Sequence, residues 1–215
     1  MTSPTVIILA RHGETEWNRM KIFRGVYDVP LNENGRAQAK LLGKALAGRR
    51  IDVAYSSPLS RARETAELAL SRRDVEIKIH PGFADIDYGL WTGLSEEDVA
   101  AKWPAELAAW KETPHGVRIP GGGSLSKAFE ISFSAMEDIL LKNQGRAVAI
   151  FAHRVVNKLL VLGALGLGIE RFPFIMQDNC CVNEFVRTAR GYIVYSLNDV
   201  SHIRGSNADL LTADF

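Results

Sequence analysis

Cysteine is close to absent: 215 residues contain two, Cys180 and Cys181, side by side. Neighbouring thiols cannot staple a loop and a metal site wants spaced ligands, so a disulfide scaffold and a CxxC-type centre are excluded, and the pair reads as reduced, buried thiols. That suits a cytoplasmic protein. An excess of either charge is also missing, with 26 Lys+Arg against 25 Asp+Glu and a net charge of +1. Such a balance gives no basic field for nucleic acid, and Arg49–Arg50 and Arg72–Arg73 are too short for a binding stripe and read as solvated. Long apolar runs are lacking as well. Val6–Ala10 has no basic flank before it and is cut off by Arg11, too short and wrongly flanked for a signal peptide or membrane span.

What is present is an ordinary globular composition, 47% hydrophobic and 24% charged, which excludes disorder. The length fits one domain over residues 1–215 carrying a small insertion. Residues 5–10 (TVIILA) and 147–152 (AVAIFA) are short, continuously apolar runs of the kind covered on both faces in a parallel sheet. Between them helical stretches at 34–48 and 58–71 alternate with extended ones at 52–56 and 75–80, the rhythm of an α/β domain. Ser57 is placed to cap the 58–71 helix, with Pro58 in its first turn. Residues 95–123 break the rhythm: Ser95 and Asp98 have capping-box spacing, Pro104 opens a second short helix, and a Pro/Gly-rich stretch closes the segment. They are expected to form a helical insertion over the domain. Helices over about 124–142 and 155–167 follow, then a hairpin of Cys181–Arg187 and Tyr192–Leu197, and a polar tail after Gly205 expected to fray.

Both buried-strand candidates end in histidine, His12 and His153, and the carboxyl ends of strands are where open α/β sheets bind ligands. Position alone leaves each as either a functional or a hydrogen-bonded structural imidazole. His12 keeps suggestive company: Arg11 is a permanent fork suited to a phosphoryl group, Gly13 admits close backbone approach, and Thr15 and Asn18 are uncharged donors. Arg61 falls in the first turn of a helix following Ser56 and Ser57, where amides and guanidinium could converge on an anion. It could equally pair with Glu64 or Glu67 on its own helix.

Taken together, RHGETEWN (11–18), FRGVYDVPLNENGRAQA (23–39), SSPLSRARETA (56–66), DIDYGLWTG (85–93) and AHRVVNKLL (152–160) resemble the histidine phosphatase superfamily, its phosphoglycerate-mutase-like branch. The resemblance implies a three-layer α/β/α fold with a mostly parallel central sheet and a helical insertion over the site. It makes His12 the nucleophile that becomes phosphohistidine, with Arg11, Asn18, Arg61 and His153 holding phosphoryl oxygens and Asp85 at the position of the acid that protonates the leaving oxygen. A neutral imidazole attacking phosphorus among fixed cations fits that chemistry. No cofactor is implied, and no metal, because two arginines beside the site would repel a divalent cation.

Three departures accompany the matches. Asp85 replaces the usual glutamate and is one methylene shorter. Arg154 follows the late histidine where glycine is typical, and either adds a phosphate contact or points to solvent. Gly121-Gly122-Gly123-Ser124 lacks the carboxylate of the family's Gly-Gly-Glu-Ser pattern. Glu14 and Asp87 are substitute acids to consider. In the insertion, Trp103, Trp110, His115 and Arg118 either line a substrate pocket or, for the tryptophans, fill core. His80 and His202 read as turn or surface residues. The expected activity is metal-independent hydrolysis of a small phosphorylated metabolite. The alternatives are a cofactor-dependent phosphoglycerate mutase, which usually has more sequence between the 85–93 motif and the late histidine, and a non-catalytic phospho-ligand-binding protein.

Overall fold

The computed structural model describes residues 3–205; the tail expected to fray after Gly205 lies outside them. Its strands are β1 (Thr5–Arg11), β2 (Val53–Ser56), β3 (Ile77–Ile79), β4 (Ala147–Ala152), β5 (Val182–Thr188) and β6 (Gly191–Asp199). They form one sheet in the order β3-β2-β4-β1-β5-β6. The first four in that order run parallel, and β5 and β6 add an antiparallel hairpin beside β1. The helices are α1 (Glu16–Arg19), α2 (Glu33–Leu46), α3 (Ser60–Leu70), α4 (Glu96–Lys102), α5 (Pro104–Glu112), α6 (Leu125–Lys142), α7 (Arg154–Leu165) and α8 (Ser201–Arg204).

The continuous apolar runs of β1 and β4 have two faces to bury, and period-two alternation divides them. Ile7, Leu9, Val148, Ile150 and Ala152 pack on one side with Met136 and Ile139 of α6 and Val156 and Leu160 of α7. Ile8, Ala10, Ala149 and Phe151 pack on the other with Ala39 and Leu42 of α2 and Ala66 and Leu70 of α3. The result is the expected three-layer α/β/α sandwich. The insertion builds a third core, in which Val99, Leu107 and Ile119 join Phe23 and Trp91 against Val155, Leu159 and Leu162 of α7. Its sequence signals hold: Ser95 and Asp98 make the capping box of α4, and Pro104 starts α5.

Other expectations shift. The helix expected from residue 58 begins at Ser60 with Leu59 as N-cap, because Ser57 still belongs to the turn leaving β2; its hydroxyl accepts from the Leu59 amide at 3.2 Å. The strand expected over 75–80 shortens to Ile77–Ile79 on the edge of the sheet, where, among the described residues, only β2 pairs with it. Two of the arginines read as solvated have structural work. Arg73 donates to the carbonyls of Arg49 and Leu46 at the carboxyl end of α2, and Arg49 pairs with Glu184 of β5.

Candidate active site

Parallel pairing brings the carboxyl ends of β1, β2 and β4 to one edge. Arg11 lies opposite Ala152 and Ser56 opposite Phe151, and the pattern runs on as the His12 amide donates to the Ala152 carbonyl and the Ser57 amide to that of Phe151, each at 3.0 Å. The next side chains, His12 and His153, therefore meet with ring centroids 5.3 Å apart. The loop after His12 is pressed against the start of α2: a Cβ on Gly13 would lie 2.5 Å from the Gly35 carbonyl oxygen, and one on Gly35 would lie 2.1 Å from that of Glu14. Only two glycines permit this approach.

The His12 ring is fully buried, with Nδ1 2.6 Å from the Gly13 carbonyl oxygen. A carbonyl can only accept, so that contact places the proton on Nδ1 and leaves the lone pair on Nε2, which no group among the described residues engages. Arg61, also fully buried, spans the site from α3, donating from Nη1 to the Tyr27 carbonyl at 2.9 Å and from Nη2 to that of Gly25 at 2.7 Å. Gly25 has φ +49°, and a Cβ there would strike the Ile86 carbonyl at 2.4 Å. The same Nη2 lies 3.3 Å from Asp85 Oδ2, which is 3.9 Å from His153 Nδ1. The other Asp85 oxygen accepts from the Ile86 amide at 3.0 Å, and His153 Nε2 is 2.7 Å from the Ser57 hydroxyl. Arg11 donates through Nη1 to the Gln177 carbonyl at 2.7 Å.

Burial and charge act together on the titratable groups. Loss of water lowers both imidazoles well below the usual histidine range, and Arg61 leads the electrostatic contributions in the same direction, with Arg11 and Arg24 adding to it. His12 is thereby kept neutral. Burial raises Asp85, opposed by Arg61 and Arg24, and it also brings Arg61 down to about 10, opposed by Asp85. The cluster offers a neutral imidazole with an open nitrogen, a carboxyl group biased toward its protonated form, and fixed cations, an arrangement that can receive a phosphoryl group and supply a proton.

Of the residues singled out in the sequence, His12, Arg61, Asp85 and His153 come together here. Thr15 and Asn18 cap each other: the Thr15 amide and hydroxyl donate to Asn18 Oδ1 at 3.0 and 2.9 Å, which leaves the Asn18 amide nitrogen as its donor end. Glu14 is buried and accepts from Asn32 at 2.6 Å, while Asp87 is exposed and accepts from the Gly89 amide in its own turn. Both therefore have structural partners away from Asp85. In the insertion Trp110 lines a cavity, Trp103 packs into the third core, and His115 and Arg118 are exposed. The sequence reading missed Arg24, a buried cation whose field reaches His12, Asp85 and His153. The signal available was a basic residue directly before the glycine of the 23–39 motif. It also missed the partnership of Ser57 with His153. Among the described residues no cluster of three or more His, Cys, Asp or Glu is placed to hold a metal ion.

Residues 7–200 match the sequence profile of the histidine phosphatase superfamily, branch 1. Phosphoserine phosphatase 1 of Hydrogenobacter thermophilus is 31% identical over 197 residues, covering 92% of this chain and 93% of that protein. A 2,3-bisphosphoglycerate-dependent phosphoglycerate mutase of Parvibaculum lavamentivorans is 35% identical over 158 residues, covering 70% and 75%. The solved structure of Bacillus stearothermophilus YhfR superposes with a TM-score of 0.89 at 28% identity, over 93% of this chain and 99% of that one. With the paired histidines at the carboxyl edge of a mixed sheet and a match that spans nearly the whole described chain, the protein belongs to the histidine phosphatase superfamily.

Proposed function

We propose that this chain hydrolyses phosphomonoesters of small metabolites through a phosphohistidine on His12. The lone pair of His12 Nε2 attacks phosphorus in line, the bond to the ester oxygen breaks, and Asp85 gives that oxygen its proton. Water then attacks the phosphohistidine, Asp85 takes the water's proton back, and inorganic phosphate leaves. Arg11, Arg24, Arg61 and His153, with Asn18, hold the phosphoryl oxygens while charge spreads over them. The observation that carries this reading is the single open nitrogen of a buried, neutral His12, fixed by its Gly13 contact and ringed by arginines.

Incubation with a radiolabelled phosphomonoester should leave acid-labile label on the wild-type protein and none on His12→Ala. Phosphate release should survive chelators, because fixed guanidinium groups supply the positive charge a metal would, and vanadate should inhibit through a trigonal-bipyramidal adduct. Activity lost in EDTA and restored by a divalent ion would overturn the mechanism. The identity to a phosphoglycerate mutase supports one rival, in which the phosphoryl group returns to an acceptor; isomerisation of 3-phosphoglycerate outpacing phosphate release would select it. Absence of both label and turnover would select a phospho-ligand-binding protein.

A further inference from the structure

The two buried histidines are held from behind by groups of different character. His12 Nδ1 meets the Gly13 carbonyl, a pure acceptor, which leaves the other nitrogen bare. His153 Nε2 lies 2.7 Å from the Ser57 hydroxyl, a group able to donate or accept. Ser57 and His153 are both fully buried.

The remaining partners decide which way that proton points. Ser57 stands in the turn between β2 and α3, and its oxygen already accepts from the Leu59 amide at 3.2 Å. Among the described residues the hydroxyl has no further hydrogen-bond partner, so His153 Nε2 is the one acceptor within reach of its hydrogen. Were Nε2 the protonated nitrogen, the hydroxyl hydrogen would be buried without an acceptor, a penalty the reverse arrangement avoids. A doubly protonated ring meets the same obstacle, and burial, reinforced by Arg61, Arg24 and Arg11, already holds His153 neutral. The ring proton therefore belongs on Nδ1, on the side of Asp85, whose Oδ2 is 3.9 Å away. That nitrogen has no hydrogen-bond partner among the described residues. The two rings thus present opposite inner faces, a lone pair on His12 to attack phosphorus and an N–H on His153 to meet an oxygen of the same phosphoryl group. Resting on the phosphohistidine reading above, we propose that Ser57 is a positioning residue that holds His153 as the neutral Nδ1–H tautomer, so that the ring donates to a phosphoryl oxygen without carrying a charge or giving up its proton. Neutrality matters to the neighbouring acid. An imidazolium 3.9 Å from Asp85 would favour the ionised carboxylate, whereas the neutral tautomer leaves Asp85 a proton for the leaving oxygen. The Ser57 oxygen also takes the amide of Leu59, the N-cap of α3, so one atom steadies both the ring of His153 and the start of the helix that carries Arg61.

Long-range proton–nitrogen spectra of protein with isotopically labelled histidine rings read each tautomer directly, the His153 signals being identified by their loss in His153→Ala. In wild type at neutral pH, His153 Nδ1 should resonate as the protonated nitrogen and Nε2 as the bare one. In Ser57→Ala the ring should move to the Nε2–H form or a mixture, and kcat should fall by about 10-fold or more, part of the roughly 10²–10³-fold that loss of a whole oxyanion donor costs. Ser57→Thr keeps the hydroxyl and should keep both the tautomer and most of the rate. Because Ser57→Ala also removes the partner of the Leu59 amide, its effect is measured again in His153→Ala, where the ring is gone and the further loss should vanish. An Nε2–H or doubly protonated His153 in wild type, a tautomer unmoved by Ser57→Ala, or an equal rate loss in both backgrounds would each overturn the assignment. The spectra need no turnover, so the expected tautomers in a protein that neither releases phosphate nor forms phosphohistidine would sink the hydrolase reading and leave the hold of Ser57 on His153 standing.

Discussion

His12 and Asp85 sit in the same dry pocket, and burial moves them toward opposite tasks by disfavouring the charged form of each, which biases the imidazole toward losing its proton and the carboxyl group toward holding one. His12→Ala is expected to abolish turnover with an unchanged circular dichroism spectrum, since the ring contributes a nitrogen to chemistry and little to the apolar cores. Arg11→Ala and Arg61→Ala should each lower kcat by about 10²-fold or more, the usual scale for removing one preorganised stabiliser of developing charge. Asp85 has a sharper diagnostic, because a general acid matters in proportion to how poor the leaving group is. Asp85→Asn should depress kcat/KM on an alkyl phosphate by about 10²–10⁴-fold and much less on p-nitrophenyl phosphate, whose anion departs unaided. Asp85→Glu should hold or raise the alkyl rate if reach limits the shorter acid. Equal losses on both substrates would remove Asp85 from proton transfer. His153 stood out because it follows a strong strand pattern, whereas Arg61 stood out only by its motif position, its spacing leaving a pair with Glu64 or Glu67 equally open; Arg24 did not, because a loop residue belongs to no period and its relation to both histidines exists only in the folded chain.

Elements aim these side chains, and the tightest joint is between the loop after β1 and the first turn of α2. With backbone on both sides of Gly13 and Gly35, no flexible side chain can yield to an added methyl. Gly35→Ala should therefore destabilise the fold by about 1–3 kcal/mol despite the better helix propensity of alanine. The same change should lower kcat, since relief of the clash moves the segment that carries His12. A urea-unfolding midpoint and a specific activity both equal to wild type would show that the joint has slack. Element identities were legible where the apolar pattern is strong: β1, β4 and α6 match the continuous runs and the helical stripe that announce them. The failures occur where a local signal was claimed by a distant partner. Ser57 reads as a helix cap, yet its hydroxyl meets His153, 96 residues away. The 75–80 run is amphipathic enough for a longer strand, but with one neighbour only three residues find ladder partners.

For the whole molecule the two buried imidazoles make stability depend on pH in a definite direction. Both are held below the usual histidine value of about 6.5 in the fold, so on acidification the unfolded chain takes up protons first. Stability present in full above about pH 6.5 is lost as the pH falls below it, by at most about 1.4 kcal/mol per pH unit for each ring. Asp85, held above its usual range, opposes this from its raised value down to about 4, the interval in which the folded carboxyl group binds a proton that the unfolded one has released. The Tm should drop between pH 7 and 5.5, and His153→Gln should flatten that slope; an unchanged slope would mean the rings titrate normally. The cavity lined by Trp110 was the least legible feature, since it arises where the insertion packs on α7, a contact no local pattern encodes. The adjacent thiols belong to the loop bonded to the backbone of Arg11 and His12. Cys180 donates its amide to the His12 carbonyl, and the Cys181 thiol donates to the Gln177 side chain, whose backbone carbonyl receives Arg11. Burial pushes the Cys181 thiol up to about 12 and Cys180 higher still, so neither is nucleophilic until this loop peels from the sheet. The pair is in effect a stopwatch: its labelling by a thiol reagent times how often that loop comes open, and saturating vanadate should slow it.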